Sequence, residues 1–227
     1  SCAVLAALRA RGHRIGVLKP AETGCPRDAG GRLYGEDVRR LLAAAGTRQP
    51  EATASVALFP VPAAPLVAAE AEGAQIEPDA LVARHEWLAA RYDAVWTEGA
   101  GGLLVPIAKG FTFADLAGRL GVPVLLVVGS KLGCLNHALL TLSELERRGI
   151  PIAGYVLNAV YDASGAAHAI ATNRETLARF TRARDLGAFP AVPAHERGDV
   201  DHLGRLARER LSLRSIEGAI ALARHGG

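Results

Sequence analysis

Long apolar runs, paired cysteines and clustered aromatics are all scarce in this chain of 227 residues, and each scarcity removes a class of function. The longest aliphatic run, Val122 to Val128, falls far short of the roughly 20 residues that a membrane-crossing helix needs, and suits a buried strand instead. Three cysteines, Cys2, Cys25 and Cys134, form neither a disulfide framework nor a metal-ligand spacing. Together with the large apolar share, they favour a reducing compartment. Histidine and cysteine do not converge in any motif, which makes zinc a poor expectation. Aromatic residues are 5% of the chain, and no aromatic platform or dense basic tract accompanies the formal net charge of +3. Neither a nucleic-acid partner nor a membrane partner is therefore expected. No secretory leader is visible, so the expected location is the cytoplasm. Ser1 opens directly into an apolar helix pattern, with no initiating Met and no preceding strand.

Half of the residues are apolar and 22% are charged, the balance of a globular protein forming one domain over residues 1–227. Two stretches carry the organisation. In VWTEGAGGLLVPI, from Val95 to Ile107, a β-rich run delivers Glu98 into a turn with Gly99, Gly101 and Gly102. In LGVPVLLVVGSKLGCLNHA a strand, a glycine-bearing loop and a helix pattern follow one another again. Two such pieces imply an α/β fold with a mainly parallel sheet whose carboxyl-end loops form a ligand crevice. Apolar spacing predicts helices over residues 1–11, 36–45, 79–90, 136–148 and 200–210, and strands over 94–97, 122–128 and 152–158. Arg14 to Leu18 reads as a short strand that Lys19 and Pro20 end abruptly, because proline supplies no donor and restricts its predecessor. Residues 49–65, rich in proline, read as irregular.

Lys19 at a strand end could neutralise a phosphate or an anion formed during reaction; an ordinary surface lysine is the alternative. Asp37 near a helix start and Glu98 at another strand end could together hold Mg²⁺, which takes oxygen ligands. A helix-starting acid favoured by the helix dipole is the bland reading of Asp37. The GAGG turn could present backbone donors to an anion or merely turn tightly. Thr112 and Asp115 fit ordinary local capping. Gly133 to Asn136 could offer amides to a carboxylate, or form a simple strand-to-helix joint. Asn158, ending the strand GYVLN, has an amide suited to a purine edge or to a turn.

Taken together, GVLKPAETG, TEGAGGLLVPI, TFAD, VVGSKLGCLNHALLT and GYVLNAV resemble the dethiobiotin synthetase family, in the same order over almost the whole chain. The resemblance implies a P-loop NTPase-like three-layer fold, a homodimer, and use of ATP and Mg²⁺. The implied reaction joins carbon dioxide to 7,8-diaminopelargonate and closes a ureido ring, giving dethiobiotin for biotin synthesis. By the same resemblance Lys19 would stabilise the carbamate and the transferring phosphate, and Thr23 would contact the diamine or carbamate. Asp37 and Glu98 would bind Mg²⁺; Gly101 and Gly102 would shape the backbone beside the nucleotide. Asn158 would recognise adenine, with the segment Pro190, Ala191 and Val192 near the base. Gly133, Cys134, Leu135 and Asn136 would bind the substrate's distal carboxylate across the dimer, with Asn173 near that tail. The motif GxxxxGK[ST] does not occur in residues 1–227, so the chain is expected to lack the family's first strand and P-loop, either as an incomplete stretch of an active enzyme, the preferred reading, or as a degenerate homologue. ATP binding and synthesis would be severely weakened if the polypeptide really begins at Ser1. Two alternatives stand beside this reading: a P-loop-related cobyrinate-type synthetase, and a nonenzymatic nucleotide-regulated binding protein.

Overall fold

Strand β1 spans Ile15–Thr23 and is the organising element of the first part of the chain. In the computed structural model, which describes residues 1–159 and 167–225, the chain divides into two compact units, residues 1–120 and 121–227. The first unit opens with α1 (Cys2–Arg9), whose Val4, Leu5 and Leu8 are buried as the apolar spacing requires. After β1 come α2 (Glu36–Ala45), β2 (Ser55–Phe59), α3 (Pro65–Ala71), α4 (Pro78–Ala89) and β3 (Ala94–Thr97). A short antiparallel hairpin, β4 (Pro106–Ala108) and β5 (Phe111–Thr112), leads into α5 (Phe113–Leu120). The sheet order is β2-β1-β3, with both pairings parallel. Ala21, Phe59, Leu81, Ile107 and Leu116 form a core beneath this sheet's helices.

Two expectations are corrected here. β1 does not stop at Lys19 and Pro20 but continues to Thr23. Its first half pairs with β3, from Ile15↔Ala94 to Leu18↔Thr97, and its second half with β2, from Lys19↔Ser55 to Thr23↔Phe59. The Lys19 amide donates to Ala54 O at 2.7 Å on the β2 side. Strand alternation therefore turns the Pro20 nitrogen to the β3 side, where the paired residues have ended, and the missing N–H costs no ladder bond. The second correction is β2 itself, which occupies part of the stretch read as irregular. Its five residues are too few, and too closely bracketed by prolines, to give a periodic signal. Before β2 begins, Gln49 closes the edge of β1: its Oε1 accepts the Val17 amide and its Nε2 donates to Val17 O, both at 2.8 Å. A buried backbone pair is thereby satisfied by one side chain.

The second unit contains β6 (Val124–Ser130), α6 (Cys134–Arg147), β7 (Ile152–Ala159), α7 (Ala167–Phe180), β8 (Asp185–Phe189), α8 (Val200–Arg210) and α9 (Leu213–His225). Its sheet order is β6-β7-β8, again parallel throughout. Val128, Ala138, Tyr155, Leu157 and Leu177 pack between strands and helices. The α/β class with mainly parallel sheets, expected of a P-loop NTPase-like fold, is thus the class observed. Among the described residues, no helix is long and apolar enough to cross a membrane.

Gly187 in β8 has φ +116°, and a Cβ there would stand 2.3 Å from the carbonyl oxygen of Arg210 at the end of α8. A side chain meets both a disfavoured backbone conformation and an immovable backbone atom. Gly187→Ala is expected to lower unfolding free energy by about 2–4 kcal/mol in urea titrations. Gly198→Ala, where nothing lies within 4 Å, should change it by less than about 0.5 kcal/mol. Equal midpoints for the two variants would contradict this packing.

Candidate active site

Parallel register creates the first unit's polar cluster. Because Leu18 stands opposite Thr97, the next residues along the two strands, Lys19 and Glu98, emerge side by side. The Glu98 amide donates to Leu18 O at 2.8 Å, holding the loop start against β1. Lys19 Nζ donates to Glu98 Oε1 at 2.8 Å and to Gly99 O at 3.0 Å. It also pairs with Asp37 Oδ2 at 3.2 Å, reached from the first turn of α2. The Lys19 side chain is only 5% exposed, whereas those of Glu98 and Asp37 are 27% and 46% exposed. The ammonium is therefore the buried member, and the carboxylates line the open side.

Burial alone would push the Lys19 pKa down, but the charges of Glu98 and Asp37 and their hydrogen bonds more than reverse it, leaving it raised. Burial likewise works against the Glu98 carboxylate, yet the Lys19 charge and hydrogen bond hold its pKa below the usual value. Of the neighbouring cations on α2, Arg39 is engaged outside the cluster, while Arg40 also touches its Asp37. Arg39 Nε lies 3.0 Å from Glu51, and Arg40 spans Glu36 at 3.0 Å and Asp37 at 3.6 Å.

Thr23 ends β1 and is half-buried beside Phe59 of β2. Gly101 and Gly102 are exposed in the loop that follows Glu98, Gly101 with φ +77°. Thr112 and Asp115 cap α5: the Thr112 amide and hydroxyl both donate to Asp115 Oδ2, at 2.7 and 2.6 Å. One polar residue escaped the sequence reading. Glu22, 7% exposed, accepts the amides of Asp37 and Val38 at 2.9 and 3.1 Å. A usable signal existed, since α2 starts after Gly35 and so lacks any side chain of its own at the capping position.

In the second unit Gly133 takes φ +87° and caps α6. Gly133 and Asn136 are exposed, Leu135 is half-buried and Cys134 is buried as the first residue of that helix. Asn158 lies near the carboxyl end of β7 opposite Phe189, the last residue of β8, after which Pro190, Ala191 and Val192 follow in the chain. Ala191 is exposed and Val192 buried, with Val192 O accepting Arg197 Nε at 2.9 Å. Asn173 is 4% exposed, and its Nδ2 donates to Ser130 Oγ at 3.2 Å. That amide is committed to the packing of α7 against β6.

Among the described residues there is no group of three or more His, Cys, Asp or Glu side chains able to hold a metal ion. The first unit nevertheless gathers oxygens of Asp37, Glu98 and Gly99 within 3.2 Å of one cation, the Lys19 ammonium. Hard oxygen donors with two carboxylates fit Mg²⁺, which usually completes its shell with phosphate oxygens and water.

A family model described as an AAA domain matches residues 1–198. The ATP-dependent dethiobiotin synthetase of Anaeromyxobacter dehalogenans strain 2CP-C is 40% identical over 195 residues, covering 85% of this chain and 83% of the relative. That of Anaeromyxobacter sp. strain K is 38% identical over 221 residues, 96% of this chain and 90% of the relative. The Ralstonia nicotianae synthetase is 40% identical over 193 residues, 85% of this chain and 82% of the relative. The chain belongs to the dethiobiotin synthetase family. Membership classes it as an ATP-dependent synthetase, an enzyme rather than a nonenzymatic binding protein. It also corrects the expectation that the family's N-terminal segment is lost. The family match begins at residue 1, and the similarity extends over 85–96% of the chain, so the weakened activity inferred from that loss is withdrawn.

The ion pairs set a pH window. Glu98, lowered in the folded state from an ordinary 4.5, contributes stability above that value and loses it as pH falls through the folded pKa. Lys19, raised from 10.5, contributes below that value and loses it as pH rises through its folded pKa. Urea titrations across pH should show a plateau between these limits. Glu98→Gln is expected to flatten the acid limb and remove about 1–3 kcal/mol at neutral pH. An acid limb identical to the wild type's would refute the pairing.

Proposed function

We propose that the chain converts 7,8-diaminopelargonate, carbon dioxide and ATP, with Mg²⁺, into dethiobiotin, ADP and phosphate. The observation carrying this reading is the buried Lys19 ammonium held at 2.8–3.2 Å by Glu98, Gly99 and Asp37. Such a cation is positioned to meet negative charge as it accumulates on carbamate and phosphate oxygens. The match to relatives named ATP-dependent dethiobiotin synthetases supports the substrates, and favours this reaction over a cobyrinate-type synthesis.

In the proposed chemistry one substrate amine attacks carbon dioxide and gives up a proton, forming a carbamate. A carbamate oxygen attacks the γ-phosphorus of ATP, and ADP leaves. The second amine attacks the carbonyl carbon of the resulting mixed anhydride, closing the five-membered urea and expelling phosphate. No protein nucleophile is needed, so the residues act by position and charge. Lys19 stabilises the carbamate and the phosphoryl oxygens, and Thr23, at the end of the same strand, contacts the diamine or carbamate. Asp37 and Glu98 hold Mg²⁺, which when bound offsets charge on the phosphates. Gly101 and Gly102 shape the backbone next to the nucleotide. In the second unit, Asn158 with Pro190, Ala191 and Val192 is proposed to take adenine. Gly133, Cys134, Leu135 and Asn136 are proposed for the distal carboxylate, with Asn173 near that tail. A single functional domain, a homodimer and a cytoplasmic location complete the reading.

The test follows ADP and dethiobiotin together. Wild-type protein should form them in equal amounts, dependent on both diamine and bicarbonate. Lys19→Ala should lower kcat at least ~100-fold, the scale of losing one group aimed at developing charge. Nucleotide binding without dethiobiotin from the wild type would overturn the proposal.

A further inference from the structure

We infer that Glu22 is a positioning residue for Asp37, acting through the first turn of α2; the inference rests on the proposed role of Asp37 and Glu98 toward Mg²⁺. The groups that grip Lys19 are Glu98, Gly99 and Asp37. Glu22 stands one step behind them. Its Oε1 accepts the Asp37 amide at 2.9 Å and its Oε2 the Val38 amide at 3.1 Å. Both oxygens are thus spent on the free N–H groups at the start of α2, where the helix dipole also favours negative charge. With Glu22 only 7% exposed, its carboxylate has lost most of its water, and those charge-assisted bonds are what stabilise it there. The bond to the Asp37 amide fixes the backbone from which a half-exposed side chain must reach Lys19.

A second observation points the same way. Gly35, just before α2, has φ −94°, a value open to any residue, so the turn does not demand glycine. Space does. A Cβ at Gly35 would lie 2.4 Å from Glu22 Oε2 and 3.0 Å from Val38 Cγ2. Gly35 leaves room for the Glu22 carboxylate, and a methyl group there would push that carboxylate off the helix start without altering its charge.

The experiment titrates full-length protein with Mn²⁺ in the presence of ADP, reading free Mn²⁺ by electron paramagnetic resonance. Thermal unfolding without metal checks each variant's fold. Glu22→Gln and Gly35→Ala should each weaken Mn²⁺ binding about 10-fold, the scale for residues that orient a metal ligand. Combining Glu22→Gln with Asp37→Asn should cost no more than Asp37→Asn alone, because the two changes act on one contact. Wild-type Mn²⁺ affinity in both folded single variants would overturn the inference. So would a Glu22→Gln loss that recurs in full when Asp37 is already changed, since that is the behaviour of a general structural role. If Glu22→Gln does not fold, Gly35→Ala decides by the same criterion. Unchanged binding in Asp37→Asn would defeat the site reading itself, a failure distinguishable from the first.

Discussion

The first unit depends on an ammonium held below a pair of carboxylates. Lys19 is nearly without solvent, and a charge so placed is costly unless countercharge and hydrogen bonds surround it. Glu98 and Asp37 supply the countercharge, and Gly99 supplies a carbonyl oxygen. None of the three is a neighbour of Lys19 in sequence. The sheet register brings Glu98 alongside, and the start of α2 brings Asp37. The cluster is therefore a consequence of β1 having two different partners along its length, β3 for its first residues and β2 for its last. Lys19 sits where one pairing gives way to the other.

That change of partner explains several otherwise unrelated residues. Pro20 fits inside a strand because its nitrogen faces the side where β3 has ended. Gln49 serves as a one-residue substitute for strand pairing where β2 has not begun. Glu98 can leave its strand and turn toward solvent because Leu18 O still holds its amide. A parallel sheet whose strands end at different heights leaves a notch at its carboxyl edge, the usual place for ligand chemistry in α/β proteins. In the second unit Asn158 pairs with Phe189, the last residue of β8, at the carboxyl edge of its own sheet.

Much of this was legible in the sequence, and the failures have physical causes. Long amphipathic segments announced themselves: α2 and α8 fall where apolar spacing puts them, and β3 over Ala94–Thr97 is as read. The acid before GAGG is legible as a strand-end group, whereas the lysine before proline, read as one, lies inside β1. Their proximity was not derivable, since register is a tertiary property. Pro20 misled because the rule against proline in strands concerns its nitrogen, and which side that nitrogen faces depends on the partners. β2 and the β4–β5 hairpin are too short for periodicity to reveal. Glu22 is hard to single out from sequence because its partners are backbone amides, which have no letter of their own. The resemblance to the dethiobiotin synthetases is carried by motifs that survive in order over almost the whole chain, and the family comparisons support it.

The central claim is that Asp37 and Glu98 face one common cation site above Lys19. Diffraction from crystals grown with Mn²⁺ and ADP, measured near the manganese absorption edge, tests it most directly. The account requires an anomalous peak between those two carboxylates, with Lys19 turned from them toward phosphate. A manganese peak that touches neither Asp37 nor Glu98, with Lys19 still paired to both, would contradict it.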